Sequence, residues 1–308
     1  MNTEIGLVPC GLALSRLFKG GIWLAEITFQ NKEDANQFHN YIQKQLHSIT
    51  VSKKIILLLE DDNKAKVKID RSVKGILEAC KRAFLQFIIK IKLNDWFKMI
   101  LKEQYYYEDE DEQQQILDII QSLLEGNRED LESLIHDTNM NQQMEIVISQ
   151  MFEEQHSFSF DSFVRFRMRP FMEQLERYVE VSIDEYKMEQ EYQMFIQTLR
   201  QFLAGRKPKI NHLHLLMGDG VTFYDEEYYE IRRAELIRMI DRRLISNHPV
   251  YVDSVTIAPL LSIAPSTIYV YTDDDEEPLV RTIQNIFEER VQLRQMADFY
   301  ENKTTFLT

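Results

Sequence analysis

The chain reads as an α+β protein: a central bundle of long helices flanked by a small N-terminal α/β unit and a C-terminal α/β unit of split-βαβ, ferredoxin-like order. Two observations lead there. Segments of strand-like composition occupy the two ends, while the middle repeats its apolar residues at helical spacing. Only nine glycines and seven prolines punctuate 308 residues, which favours long regular elements over a loop-rich sandwich. The organisation expected is a unit over 1–70, a helical region over 71–206, an α/β unit over 207–295 and a tail over 296–308.

In the first unit, Gly21 to Phe29 has the β-branched and aromatic composition of a strand. Asn31 is placed to cap a following helix with Ala35, Phe38, Ile42 and Leu46 on one face. Ile55 to Leu59 is a continuous apolar run, as in a strand covered on both faces, and Lys64 to Asp70 alternates as an edge or hairpin partner does. Three strands and one helix cannot close a core alone, so this unit is expected to lean on later elements.

From Ser72 to Glu103 the residues Val73, Ile76, Leu77, Cys80, Phe84, Phe87, Ile88 and Ile91 recur at helical spacing, with Lys74, Lys81, Lys90, Lys92, Lys98 and Lys102 among them. Such a basic helix can lie on an anionic membrane or grip an acidic partner, but amphipathicity is the ordinary state of a surface helix. The acidic segment downstream offers an intramolecular partner. Two further helices are expected, Glu112 to Glu125 and Glu129 to Glu154, divided at Gly126-Asn127, which has C-cap chemistry.

The longest element runs from Phe158 to Gly205. A seam at three-four spacing passes through Met168, Phe171, Leu175, Tyr178, Ser182, Glu185, Glu189, Tyr192, Ile196, Leu199 and Leu203, with a break expected at Pro170 unless the helix proper begins beside it. Glu185 and Glu189 lie one turn apart on this seam and are the candidate acid/base or metal pair. Histidine is missing three residues after either glutamate, so the plainer reading drifts the seam toward Ile183 and Tyr186 and leaves both carboxylates at a wet edge. Phe166 falls on the opposite side, among Arg165 and Arg169. An aromatic in a charged face is either covered by a second layer or anchors a partner, and this trio is the candidate contact site.

Beyond Pro208 the period changes to strands at Ile210 to Met217 and Val221 to Tyr224, around a Gly218-Asp219-Gly220 hairpin signal. A helix over 231–246, strands near Val252 to Ala258 and Thr267 to Tyr271, a helix from Pro278 to Glu289 and a strand at Val291 to Arg294 complete the expected order. His212 and His214 share a strand face as metal ligands sometimes do, without a third ligand at characteristic spacing. They join Glu185 and Glu189, with Asp219, as the alternative polar site of an enzyme reading.

Composition bounds what these sites can serve. The net charge of −14 argues against a general nucleic-acid binder, whose phosphate contacts need lysine and arginine. The charge is uneven: residues 1–104 carry +6, 105–160 carry −13, 161–206 carry −1 and 207–308 carry −6. Cys10 and Cys80 form neither a disulfide framework nor a zinc pattern. No apolar run is long enough to span a membrane, and the opening residues lack the basic leader of a secretory signal. A cytoplasmic protein without cofactor or metal is expected, with protein partners.

Three stretches carry a resemblance: DSFVRFRMRPFMEQLERYVEVSIDEYKMEQEYQMFIQTLRQFL, then KINHLHLLMGDGVTFYD and VTIAPLLSIAPSTIYVY. They resemble the YtxC-like family of sporulation proteins over residues 70–295, above all in Phe163 to Arg167 and in the pattern Asp184-Glu185-Tyr186, Glu191-Tyr192 and Phe195-Ile196. The resemblance implies an endospore-forming source, a cytoplasmic place in the sporulating cell and no assigned catalytic residue. Cysteines near the C-terminus in some related sequences have no counterpart after Cys80, so no thiol or metal role carries over. The function expected is a non-enzymatic interaction or structural factor; the alternatives are a metal-dependent hydrolase and a membrane-surface or nucleic-acid binder acting through the basic helix.

Overall fold

Strand β1, Leu24–Phe29, buries Ala25, Ile27 and Phe29 and leaves Glu26 on the other face. A computed structural model describes this strand and residues 24–46, 55–59, 64–70, 75–132, 134–135, 140–154, 157–218, 220–241 and 255–306. Cys10, Asp219 and the first residues of the strands expected at Gly21 and Val252 lie outside the described residues. The chain resolves into two compact units, Met1–Tyr186 and Lys187–Thr308.

In the first unit, β1 is followed by α1, Lys32–Leu46, whose first turn is capped as its sequence requires: the Glu33 amide donates to Asn31 Oδ1 at 2.8 Å. Strands β2, Ile55–Leu59, and β3, Ala65–Asp70, pair antiparallel, and β3 pairs antiparallel with β1. Ala65, Val67 and Ile69 face the core, while Lys66 and Lys68 ion-pair with Glu26 across the strands at 3.1 and 3.2 Å. The support this sheet needs comes from mid-chain: β4, Ser157–Ser159, adds in parallel to β1, giving the order β2-β3-β1-β4.

The helices of this unit are α2, Ile76–Phe87, α3, Leu93–Glu103, α4, Glu110–Leu124, α5, Glu129–Glu132, α6, Met140–Glu154, α7, Phe160–Phe166, and the first part of α8, Arg169–Leu203. A π-helical turn at Ile88–Lys92 joins α2 to α3. Asp109 caps α4 by accepting from the amides of Asp111 and Glu112. Gly126, at φ 73°, closes it with bonds from Gly126 N to Leu123 O and from Asn127 N to Ser122 O, a left-handed turn that glycine adopts without strain. The helix expected over Glu129 to Glu154 is represented by two separate helices, α5 and α6. The helix is interrupted at Arg167-Met168, so Pro170 stands in the first turn of α8, where its missing amide costs nothing.

The core of this unit is a phenylalanine cluster. Phe84 lies edge-on to Phe38, Phe152, Phe158, Phe160 and Phe163 at centroid distances of 5.3 to 6.1 Å, and Phe29 stacks on Phe160 at 5.2 Å. Elements before residue 70 and after residue 150 thus meet in one core.

The second unit holds a sheet of order β6-β5-β7-β8, formed by β5, His212–Met217, β6, Val221–Tyr224, β7, Thr267–Tyr271, and β8, Val291–Arg294. Strands β5, β7 and β8 are parallel and only β6 runs antiparallel. This corrects the split-βαβ order while keeping the α+β class. The reason lies at α10, Ile257–Ile263, which takes up Ile257 and Ala258 of the strand expected near Val252 to Ala258: every residue of this helix is buried, so no alternation separates helix from strand, and Pro259 fits its first turn. Helices α9, Arg233–Met239, and α11, Pro278–Phe287, complete the connections. Leu213, Leu215, Ile268 and Val270 pack with Ile196, Leu199 and Leu203 of α8 and with Val280 and Ile283 of α11 in one core. The expected tail holds a helix, α12, Met296–Phe306, which buries Phe299 against Tyr224 and Tyr271 on the opposite sheet face.

Candidate functional site

The candidate residues fall into three places. Phe166 ends α7 and is 71% exposed; no second layer among the described residues covers it. Its neighbour three residues back, Phe163, is buried in the phenylalanine cluster, so one short helix points one ring inward and one outward. The Arg165 guanidinium lies over the Phe166 ring at 5.7 Å, and Arg165 forms no ion pair among the described residues. Arg167 donates to Glu154 at 3.2 Å and Arg169 to Glu173 at 3.0 Å, both in exposed pairs.

Beside this arginine cluster an apolar groove of about 200 Å³ opens between α6 and the start of α8. Met144, Ile146 and Val147 form one wall, Met168, Pro170 and Phe171 the other, with Gln143 and Arg167 as the polar lining. Ile146 is 51% exposed.

The second place is the helix seam. Leu175, Tyr178 and Ser182 are buried; then Val179, Ile183 and Tyr186 take over the buried face and Glu185 moves to its edge. Glu185 accepts from Arg128 at 2.7 Å, and the same guanidinium binds Asp130 in a two-pronged pair that holds its proton far above the ordinary range. Glu189 is exposed, in the other unit. An ion pair that consumes Glu185 is what a structural carboxylate makes. The sequence signal missed here was Arg128, 57 residues away.

The third place is the outer face of the C-terminal sheet. The alternation that put His212 and His214 on one face holds, but their environments differ. His212 is exposed and lies against Tyr269. His214 is 5% exposed, stacked between Tyr228 at 4.3 Å and Tyr269 at 4.9 Å, with Nδ1 3.0 Å from the Tyr271 hydroxyl. Burial and the nearby Arg294 push the His214 pKa down to about 4, so the ring is neutral at pH 7. Burial likewise raises the Tyr271 phenol. Among the described residues, no group of three or more His, Cys, Asp or Glu side chains is placed to hold a metal ion.

Of the lysines of the basic helix, Lys81 and Lys92 are held in ion pairs, while Lys90, Lys98 and Lys102 are exposed and Lys74 lies outside the described residues. Lys81 donates to Glu78 and to Glu153, the latter from the downstream acidic segment, and Lys92 bridges Asp34 and Asp95. Among the described residues no helix is long and apolar enough to cross a membrane. Cys80 is buried as a free thiol, and burial pushes its pKa up to about 12.

Comparison with known proteins agrees with the resemblance seen in the sequence. A model of the YtxC-like family matches residues 78–292. An uncharacterized protein, YtxC, of Bacillus subtilis (strain 168) is 34% identical over 276 residues, covering 90% of this chain and 96% of that protein. No solved structure matches. A family match over most of the chain, with a relative of this similarity along nearly its whole length, places the protein in the YtxC-like family.

Proposed function

We propose that this protein is a non-enzymatic interaction factor of the sporulating cell, acting in the cytoplasm through a contact surface centred on Phe166 with Arg165 and Arg169. The observation that carries the reading is a phenylalanine left 71% exposed beneath an arginine, on a helix that buries its other phenylalanines. Solvent gives such a ring no stabilisation, whereas aromatic and arginine side chains are the usual anchors of protein contacts. The sporulation context rests on the resemblance to the family.

The polar residues of the alternative reading support it less. Glu185 is neutralised by Arg128, and His214 is shielded within rings. A general base needs an open route to the proton it takes.

The test separates folding from binding. Phe166→Ala and Arg165→Glu should leave the thermal midpoint of the purified protein nearly unchanged, yet lower sporulation efficiency and the recovery of partners cross-linked in sporulating cells. A deep fall in the midpoint of Phe166→Ala, or normal sporulation and partner recovery in both variants, would overturn the reading.

A further inference from the structure

We infer that α12 is a proton-released strap: it stays closed over the His214 side of the C-terminal sheet while that imidazole is neutral and detaches when the imidazole is charged. Its hold is slight for a helix. Of the 11 residues Met296–Phe306 only Phe299 is buried, with its ring 4.7 Å from that of Tyr224 and 5.1 Å from that of Tyr271. Segments with few buried apolar contacts are the first to open in a folded protein. A helix this short is unstable alone in water, so α12 melts once it leaves the sheet.

One hydroxyl ties the strap to the histidine. Tyr271 Oη lies 3.0 Å from His214 Nδ1, and Tyr228 and Asn302 of α12 reach the same hydroxyl. A neutral Nδ1 can accept from Tyr271. A proton on Nδ1 makes it a donor, and Tyr271 must then turn to accept on the oxygen that the Asn302 amide uses. Tyr228 is the second link. Its backbone stands in the left-handed region at φ 63°, and Asp225 pins that turn by accepting from the Glu227 and Tyr229 amides. The ring placed there stacks on His214 at 4.3 Å and meets Phe299 and Phe306 of α12 at 5.7 and 5.8 Å.

The charges around the ring set the direction of the coupling. His212 on β5, Tyr224 on β6, Tyr269 on β7 and Arg294 on β8 surround it, Asp225 lies in the turn after β6, and α12 adds Lys303, its Nζ 4.6 Å from the centre of the Tyr224 ring. Burial foremost, then Arg294 and His212, disfavour a charged His214, and Asp225 opposes them. Removing α12 gives the ring back to water, where a histidine takes its proton readily. A proton that prefers the open form drives the opening, and opening in turn eases protonation.

Hydrogen exchange and histidine titration of the full chain test both directions. At pH 7 the α12 amides should be less protected than those of β7, and their protection, corrected for intrinsic exchange, should fall about twentyfold between pH 6 and 4.5. His214→Phe keeps the ring stack and should make α12 protection indifferent to pH. In the reverse direction, Phe299→Ala should raise the His214 pKa, followed by NMR, by at least about one unit while the α11 amides stay protected. Asn302→Ala, which removes no buried ring, should shift the same titration upward by a smaller step and serves where Phe299→Ala fails to fold. Protection of α12 equal to that of β7, or indifferent to pH, overturns the inference. A slope that survives in His214→Phe also overturns it and assigns release to a carboxylate such as Asp273, which accepts from the Met296 amide. So does an unchanged His214 titration in a folded variant whose α12 has lost protection.

Discussion

The two sheets of this protein solve the same burial problem with different chemistry. The first unit packs phenylalanine on phenylalanine, with Phe29, Phe38, Phe84, Phe87, Phe152, Phe160 and Phe163 all buried and none carrying a polar atom. In the second unit, one sheet face is equally apolar, but the other is built from His214, Tyr224, Tyr269 and Tyr271 beneath α12. An apolar cluster is indifferent to pH and sensitive to lost volume. A histidine sealed among tyrosines keeps its volume but must refuse a proton, so its stability depends on pH.

The largest effect should come from the first unit. Phe84 touches five other rings, and Phe84→Ala leaves a cavity that the surrounding edge-to-face packing cannot close. A loss of about 3–5 kcal/mol is expected, read as lost hydrogen-exchange protection in β1 and β3. A loss below about 1 kcal/mol would mean that this cluster is looser than its ring geometry implies.

The second unit should respond to acid instead. The folded His214 pKa, about 4, lies below the ordinary histidine value near 6.5, so above that value neither state is protonated and stability is complete. As pH falls from 6.5 toward 4, the unfolded chain takes up a proton that the folded ring refuses, and stability declines by about 3 kcal/mol. The groups that set this are the burial itself, Arg294 and His212, opposed by Asp225. Protection of β5 and β7 amides, corrected for intrinsic exchange, should fall over this window, and His214→Phe should flatten the response. An unchanged slope in that variant would assign the acid sensitivity to carboxylates elsewhere.

A smaller contrast runs along α8. Glu185→Gln breaks a charged bond to Arg128 in a partly buried pair and should cost about 1 kcal/mol, whereas Glu189→Gln, at an exposed position, should cost less than about 0.5 kcal/mol. Urea midpoints measure both. Equal costs would remove the distinction between the seam edge and the open helix surface.

Local chemistry explains which parts of this arrangement were legible in the sequence. Asn31 as a cap, the alternation of Lys66 and Lys68, the drift toward Ile183 and Tyr186 and the shared face of His212 and His214 all depend on residues close in the chain. What sequence could not supply was distance. Strand β4 is three residues long and exists because Glu26 to Thr28 recruit it in parallel register. Helix α10 is buried on every side, so its period is invisible, and α12 buries only Phe299, leaving too weak an apolar stripe to distinguish a helix from a tail. The candidate site divides likewise: the charged face around Phe166 was readable, but its exposure depended on what the rest of the unit did or did not place over it.

The smallest effect is the one that bears on function. Phe163 and Phe166 sit three residues apart on α7, the first 3% exposed and packed against Phe84 and Phe158, the second 71% exposed with the Arg165 guanidinium over its ring. Phe163→Ala should therefore cost several kcal/mol, on the order of 3–4, while Phe166→Ala should move stability by no more than about 0.5 kcal/mol. Measured side by side in urea, the pair calibrates α7 against itself, because helix propensity changes by the same amount in both. If Phe166→Ala approached the cost of Phe163→Ala, the ring would have to be buried in the folded chain and could not be the anchor of a contact. A cost near zero would leave its retention on this helix without a stability rationale, which is the condition the interaction reading requires.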